Sequence, residues 1–163
     1  MHILLTRPIE DCEELIIKFK SLGHNISHLP VIKIQSKKYQ EEDFNEYKGI
    51  IFTSSNAIKN LEIKKINKNI YCYCVGLATE KTAKLNGFQN IYTAEGNVNN
   101  LKEIILQTFN TNNGRLLYVS GEIVSSNLDK ELIFEGYSIK RLINYSVLPI
   151  EDLDLKFVDI LKS

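Results

Sequence analysis

Four apolar runs along the chain each stop in small polar residues, and a helical pattern of apolar positions starts directly afterwards. The runs end at Thr6-Arg7-Pro8, Thr53-Ser54-Ser55-Asn56, Gly76-Leu77-Ala78-Thr79 and Ser120-Gly121. In a parallel sheet such junctions lie together at the carboxyl edge, where ligands bind. Each junction also offers backbone N–H groups at a helix N-terminus, which suit an anion. The pattern therefore predicts a site for a ligand with several negative charges.

Strands and helices alternate along the chain. The predicted strands are 2–6, 24–29, 31–34, 48–53, 70–75, 89–92, 115–119 and 137–145. The predicted helices are 9–22, 55–62, 77–86, 98–109 and 126–135, with a last short helix over 155–161. Strict alternation indicates an α/β fold with a mostly parallel sheet. The apolar runs at 50–52, 73–75 and 116–119 are expected to form its buried centre.

Charge and composition narrow the possible partners and compartments. The formal net charge is zero and the pI is about 6.8, with Lys and Glu interspersed, so no basic face for nucleic acid is indicated. No apolar stretch approaches the ~20 residues of a membrane span. The N-terminal residues enter a strand directly and show no charged n-region with a cleavage site, so we expect no secretory leader. Three cysteines, an odd number, favour free thiols in a reducing compartment. We therefore predict a cytoplasmic protein without membrane or nucleic-acid partners.

Several common active sites are excluded because their residues are missing. A phosphorylated receiver needs acidic residues at the strand ends, where this chain has Thr, Gly and Ser. The first junction lacks G-x-G-x-x-G, and no Walker motif or G-x-S-x-G is present. Cys72 and Cys74 are expected to be buried hydrophobes, since no further metal ligands are spaced around them. The groups left at the strand ends are hydroxyl, amide and backbone N–H donors. Helix capping accounts for any one of them, whereas their accumulation on one edge favours an anionic ligand.

The order and spacing of a set of short motifs resemble the uroporphyrinogen-III synthase family over essentially the whole chain. The motifs are Leu4-Leu5-Thr6-Arg7-Pro8, Leu22-Gly23-His24, Leu29-Pro30-Val31-Ile32-Lys33-Ile34, Tyr47-Lys48-Gly49-Ile50-Ile51-Phe52-Thr53-Ser54-Ser55-Asn56-Ala57, Val75-Gly76-Leu77-Ala78-Thr79, Asn86-Gly87-Phe88, Ala94-Glu95-Gly96, Leu116-Leu117-Tyr118 and Asn144-Tyr145. One departure is local. Many relatives carry Arg-Gly after the Leu-Leu-Tyr strand, where this chain has Ser120-Gly121.

The resemblance implies two flavodoxin-like α/β domains, each a parallel sheet with helices on both faces, joined by a two-stranded ladder. Residues 33–146 are then expected to form a complete domain two with a five-stranded parallel sheet. Residues 1–32 and 147–163 are expected to be the two ends of an incomplete domain one, because the family is longer by roughly 90 residues. The uncovered apolar face of that domain favours self-association or disorder.

The resemblance also implies a reaction and the residues that serve it. The family cyclises the linear tetrapyrrole hydroxymethylbilane to uroporphyrinogen III, a lyase step that loses water, inverts the last pyrrole ring and needs no cofactor. Porphobilinogen deaminase is the implied upstream supplier. Tyr145 matches the family's catalytic Tyr, which assists the leaving hydroxyl. The implied substrate-binding residues are Thr6, Arg7, Thr53, Ser54, Ser55, Asn56, Gly76, Thr79, Ser120 and Gly121.

Other interpretations stay open from the sequence. One is a non-catalytic remnant, or a tetrapyrrole-binding module that keeps the donor-lined edge without turnover. Another is an unrelated flavodoxin-like interaction domain. Tyr145 is alternatively an aromatic residue that only packs beside the crossover strands.

Overall fold

The chain forms two compact units, Met1–Gln35 with Val147–Ser163, and Ser36–Ser146. A computed structural model describes residues 1–151 and residue 158; the other residues of the helix predicted over 155–161 lie outside the residues described. The division falls within two strands, so both strands run through both units. None of the described helices is both long and apolar enough to cross a membrane.

The alternation of strands and helices predicted from the sequence is confirmed. The strands are β1 His2–Leu5, β2 Asn25–His28, β3 Ile32–Ser36, β4 Tyr47–Phe52, β5 Tyr71–Val75, β6 Asn90–Ala94, β7 Arg115–Gly121 and β8 Ile139–Pro149. The helices are α1 Glu13–Ser21, α2 Ser55–Lys59, α3 Leu77–Leu85, α4 Val98–Thr108 and α5 Leu128–Phe134. Helix α2 is shorter than predicted, and the turn at Ile63–Lys65 that follows it is 3-10.

The main sheet has six strands in the order β3-β8-β7-β4-β5-β6. The five strands from β8 to β6 are parallel, as the sequence predicts. Strand β3 adds a sixth strand at the β8 edge that the five-stranded prediction did not include. Hydrogen bonds from Lys37 N to Asn144 O and from Ile150 N to Val31 O, near its two ends, show that it runs opposite to β8.

Helices cover both faces of the sheet in unit Ser36–Ser146. On one face, α4 and α5 bury Leu101, Ile105, Leu128 and Leu132 against inward-facing strand residues that include Ile51. On the other face lie α2 and α3, whose Ala57, Ile58 and Ala83 are fully or almost fully buried. The strand centres are buried on both faces, as expected for a parallel sheet between two helical layers.

Cys72 and Cys74 are buried in β5, as predicted, and carry free thiols. Their sulfur atoms lie 3.9 Å apart. The hydrogen bond with Cys74, together with burial, raises the pKa of the Cys72 thiol well above its ordinary value. A thiol held in its protonated form is a poor nucleophile and a poor metal ligand, so Cys72 contributes packing.

The smaller unit buries little. Strands β1 and β2 pair in parallel and α1 follows β1, but within its described residues only Cys12 and Leu29 are buried hydrophobic residues. Helix α1 has no buried residue, and Ile17 is 70% exposed. The uncovered apolar surface predicted from the sequence is present, whereas self-association stays a prediction.

Candidate functional site

The carboxyl ends of β4, β5 and β7 lie on one edge of the sheet, because these strands are parallel neighbours. At this edge a cavity of about 520 Å³ lies wholly within unit Ser36–Ser146. We call it the strand-end cleft. It is lined by Thr53, Ser54, Val75, Asn97, Val98, Asn99, Tyr118, Gly121, Ile123, Val124, Ser125, Ser126 and Tyr145.

Strand β4 delivers two predicted residues to the strand-end cleft. The Thr53 hydroxyl lies 3.3 Å from the hydroxyl of Tyr118, a residue that is 1% exposed. Burial raises the pKa of Tyr118, against smaller lowering effects from its hydrogen bond with Thr53 and from the nearby charge of Arg141. The phenol therefore stays neutral and able to donate. The Ser54 side chain accepts from Asn56 N at 3.2 Å and caps α2.

Tyr145 and Gly121 face each other where β7 and β8 end their pairing. The register shifts by one residue between Ser120 and Gly121, which places Gly121 opposite Tyr145. The Tyr145 ring packs directly over Gly121: a Cβ on Gly121 would lie only 2.8 Å from two ring carbons. The Tyr145 carbonyl accepts from Glu122 N at 3.0 Å. Only glycine at 121 leaves room for the ring in this position.

Some predicted donors are already engaged within the chain. The N–H of Asn56 donates to Ser54, and the N–H of Gly76 donates to the Ala94 carbonyl at 2.9 Å. Thr79 is not at the strand tip but inside α3, where it is 4% exposed. Ser55 begins α2 outside the cleft lining. These four residues position the edge of the sheet, and their groups do not line the cavity.

The predicted residues near the N-terminus lie in the other unit. Thr6 and Arg7 follow β1 and have exposed side chains. Their carbonyls are engaged locally: Thr6 O accepts from Val31 N at 3.0 Å, and Arg7 O lies 2.7 Å from the His28 ring nitrogen. Their role as substrate-binding residues stays a prediction.

The residues after β6 were missed from the sequence as part of the site. Asn97, Val98 and Asn99 all line the strand-end cleft. Asn97 Oδ1 caps α4 by accepting from the N–H groups of Asn99 and Asn100 at 2.9 and 3.2 Å. In turn, Asn100 Oδ1 accepts from Asn97 N at 3.2 Å. Two Asn residues three positions apart before an apolar helix form a capping-box pattern, so the start of α4 could be predicted from the sequence.

The last residue of β7 and the loop that follows it, together residues 121–126, contribute most of the remaining lining. Ile123 is 85% exposed, and Ser126 Oγ is buried without a partner among the described residues. The helix predicted over 126–135 would make Ser125 its N-cap residue. Instead α5 begins after Asn127, with no side-chain cap bond. The hydroxyl of Ser125 is therefore not committed to capping.

Neutral donors and apolar side chains make up the lining of the strand-end cleft. None of the described residues that form it is Asp, Glu, Lys, Arg or His. Within the described residues, no group of three or more potential ligands is placed to hold a metal ion. Such a lining suits a ligand with an apolar body and acidic substituents, held by hydrogen bonds to hydroxyl and amide groups.

A larger cavity of about 770 Å³ lies in the same unit, away from the strand ends. It is lined by residues of the segments 36–44 and 59–65, and we call it the lysine-rich cavity. Within its lining, Lys65 and Glu62 form an ion pair at 2.5 Å in which both side chains are 60% exposed, whereas Lys37 and Glu42 pair with Glu122 and Lys140 outside it. Exposed pairs of this kind define no specific ligand. We therefore assign the functional site to the strand-end cleft.

Comparison with known proteins agrees with the fold. The family model of uroporphyrinogen-III synthase HemD matches residues 13–163. The uroporphyrinogen-III synthetase of Helicobacter pylori is 22% identical, with a TM-score of 0.60, over 83% of this chain and 62% of that one. A mutant uroporphyrinogen III synthase of Thermus thermophilus is 15% identical, with a TM-score of 0.57, over 92% and 64%. No curated protein matches significantly. The chain thus spans less than two thirds of these solved structures, and the likeness to them shows the fold.

Proposed function

Because the chain belongs to the uroporphyrinogen-III synthase HemD family, we propose that it acts in the cyclisation of hydroxymethylbilane to uroporphyrinogen III. In this reaction a C–O bond breaks, a C–C bond closes the ring, water leaves and the last pyrrole is inverted. The observation that carries the proposal is the strand-end cleft, in which Tyr145 lies beside neutral donors. The second candidate, binding without turnover, is favoured by the lack of any lining carboxylate, lysine or histidine among the described residues.

The substrate and the lining are chemically matched. Hydroxymethylbilane has apolar pyrrole rings and eight carboxylates. The rings fit the valines and Ile123, and the carboxylates fit the hydroxyl and amide donors. The pyrrole itself activates the leaving hydroxyl, so the protein's contribution is mainly to hold the chain ends together. Tyr145 then donates a hydrogen bond to the departing hydroxyl.

We further propose that residues 33–146 are domain two and that 1–32 with 147–163 belong to domain one. The compact unit Ser36–Ser146 supports this division. Because the solved relatives are longer, we expect a complete site to need a polypeptide that covers the rest of the family's length. The free thiols suit the cytoplasm, where porphobilinogen deaminase would supply the substrate.

Tyr145→Phe tests the catalytic part of the proposal. The chain is incubated with hydroxymethylbilane, alone and with a polypeptide that covers the rest of the family's length, and the isomers are separated by chromatography. We expect only the type I isomer, which forms spontaneously, from the 163 residues alone, and type III from the mixture. Tyr145→Phe should lower the type III rate at least about tenfold, because one transition-state hydrogen bond is lost.

Thr53→Val, a change in the same cleft that leaves the Tyr145 hydroxyl in place, serves as the matched control and should act mainly on binding. If Tyr145→Phe leaves the rate of type III formation unchanged, Tyr145 has only a packing role. Saturable tetrapyrrole binding without type III product in the mixture would support the binding module instead of the enzyme.

A further inference from the structure

Arg141 holds the end of β7 through three hydrogen bonds. Its Nε donates to Ser120 Oγ at 2.8 Å, and its Nη2 donates to the carbonyls of Gly121 and Glu122 at 2.9 and 3.0 Å. Ser120 is 1% exposed, and its hydroxyl donates in turn to the Gly121 carbonyl at 3.0 Å. The side chain of one strand thereby fixes the backbone of its neighbour at the point where pairing stops.

The loop held in this way, residues 121–126, forms a large part of the lining of the strand-end cleft. Its first peptide units are fastened from two sides, since the carbonyls of Gly121 and Glu122 accept from Arg141 and the N–H of Glu122 donates to Tyr145 O. Without these bonds the loop would be held mainly by Val124, which packs against the hydrophobic core, because Ile123 is exposed.

We propose that Arg141 is a positioning residue for tetrapyrrole binding, because it fixes the loop 121–126 in the conformation that lines the strand-end cleft. Only a planar guanidinium reaches the Ser120 hydroxyl and both carbonyls at once, whereas a lysine ammonium has one donor centre and loses this geometry. The identity of the ligand rests on the function proposed above, whereas the effect of Arg141 on the loop is independent of that function.

The test compares Arg141→Lys and Arg141→Met with Arg115→Met. Arg115 is a matched control because it begins β7, pairs with Glu46 at 3.3 Å and lies over the Tyr47 ring, away from the cleft. Affinity for uroporphyrin III, a stable octacarboxylate tetrapyrrole, is measured by fluorescence titration, and amide exchange is measured by peptide mass spectrometry. Both Arg141 variants should bind about tenfold or more weakly and exchange faster in 121–127 alone. Arg115→Met should change neither.

Three results would overturn the positioning role. Wild-type affinity for uroporphyrin III in Arg141→Lys would show that binding depends on the charge at position 141 and not on the geometry of the guanidinium. Unchanged exchange at 121–127 in Arg141→Met would show that the loop does not depend on Arg141. Faster exchange throughout 36–146 would show a general effect on stability. If wild-type protein does not bind uroporphyrin III but the loop alone loosens in Arg141→Met, the proposed function fails and the effect of Arg141 on the loop stands.

Discussion

Asn144→Asp will lower the free energy of unfolding by about 3–5 kcal/mol at pH 7, because it buries a charge that nothing compensates. Asn144 is fully buried, and its Nδ2 donates to the Ala57 carbonyl in α2 at 2.8 Å. Its Oδ1 is buried without a partner among the described residues. A carboxylate supplies no donor to Ala57 and gains no donor itself. Urea denaturation at pH 7 measures the loss.

The pH dependence separates the charge from the lost hydrogen bond. Burial raises the folded-state pKa of the new carboxyl above its unfolded value of about 4. Below pH ~4 both states are protonated and the penalty is small; it grows as the pH rises from ~4 towards neutrality. Asn144→Leu carries no ionisable group. It should lower the free energy of unfolding by about 1–3 kcal/mol relative to wild type, both at pH ~4 and at pH ~7. Equal losses for Asn144→Asp at pH ~4 and pH ~7 would contradict a buried charge.

Gly121→Ala should have the second largest effect and should act on both stability and binding. The added Cβ would lie 2.8 Å from the Tyr145 ring, and Tyr145 is only 7% exposed, so the ring has to move. Overpacking of this kind costs about 1–3 kcal/mol. Because Tyr145 and Gly121 both line the strand-end cleft, the affinity for uroporphyrin III should fall as well, by about tenfold.

A double-mutant cycle identifies the cause. In a Tyr145→Ala background the ring is gone, and Gly121→Ala should then cost less than about 0.5 kcal/mol. Chemical denaturation of the four proteins gives the coupling energy. Additive losses would mean that Gly121→Ala acts through the backbone of β7 and not through the Tyr145 ring.

The fold could be predicted largely from residues that act locally. The apolar runs that end at Thr53 and Gly121 determine strand position, and parallel pairing then places both residues on one edge. Strand β3 was the exception. Its place in the sheet depends on pairing with β8, more than 100 residues away in the sequence, and neither strand carries a pattern that reports that partner.

The site was harder to predict, because hydrogen bonds decide which donors are available. The sequence shows a backbone N–H at Gly76, but not that the carbonyl of Ala94 accepts it. Likewise, the sequence has Ser120 where many relatives carry Arg, and the structure brings Arg141 to its hydroxyl. That contact requires the register of β8 against β7, which depends on packing across the whole sheet.

Mapping where a tetrapyrrole binds tests the central claim most directly. Uroporphyrin III is titrated into ¹⁵N-labelled protein, and the backbone amide shifts are followed to saturation. We predict saturable shifts concentrated at 53–54, 75, 97–99, 118, 121, 123–126 and 145, the lining of the strand-end cleft. Shifts concentrated at 36–44 and 59–65, which line the lysine-rich cavity, or no saturable shifts at all, would contradict it.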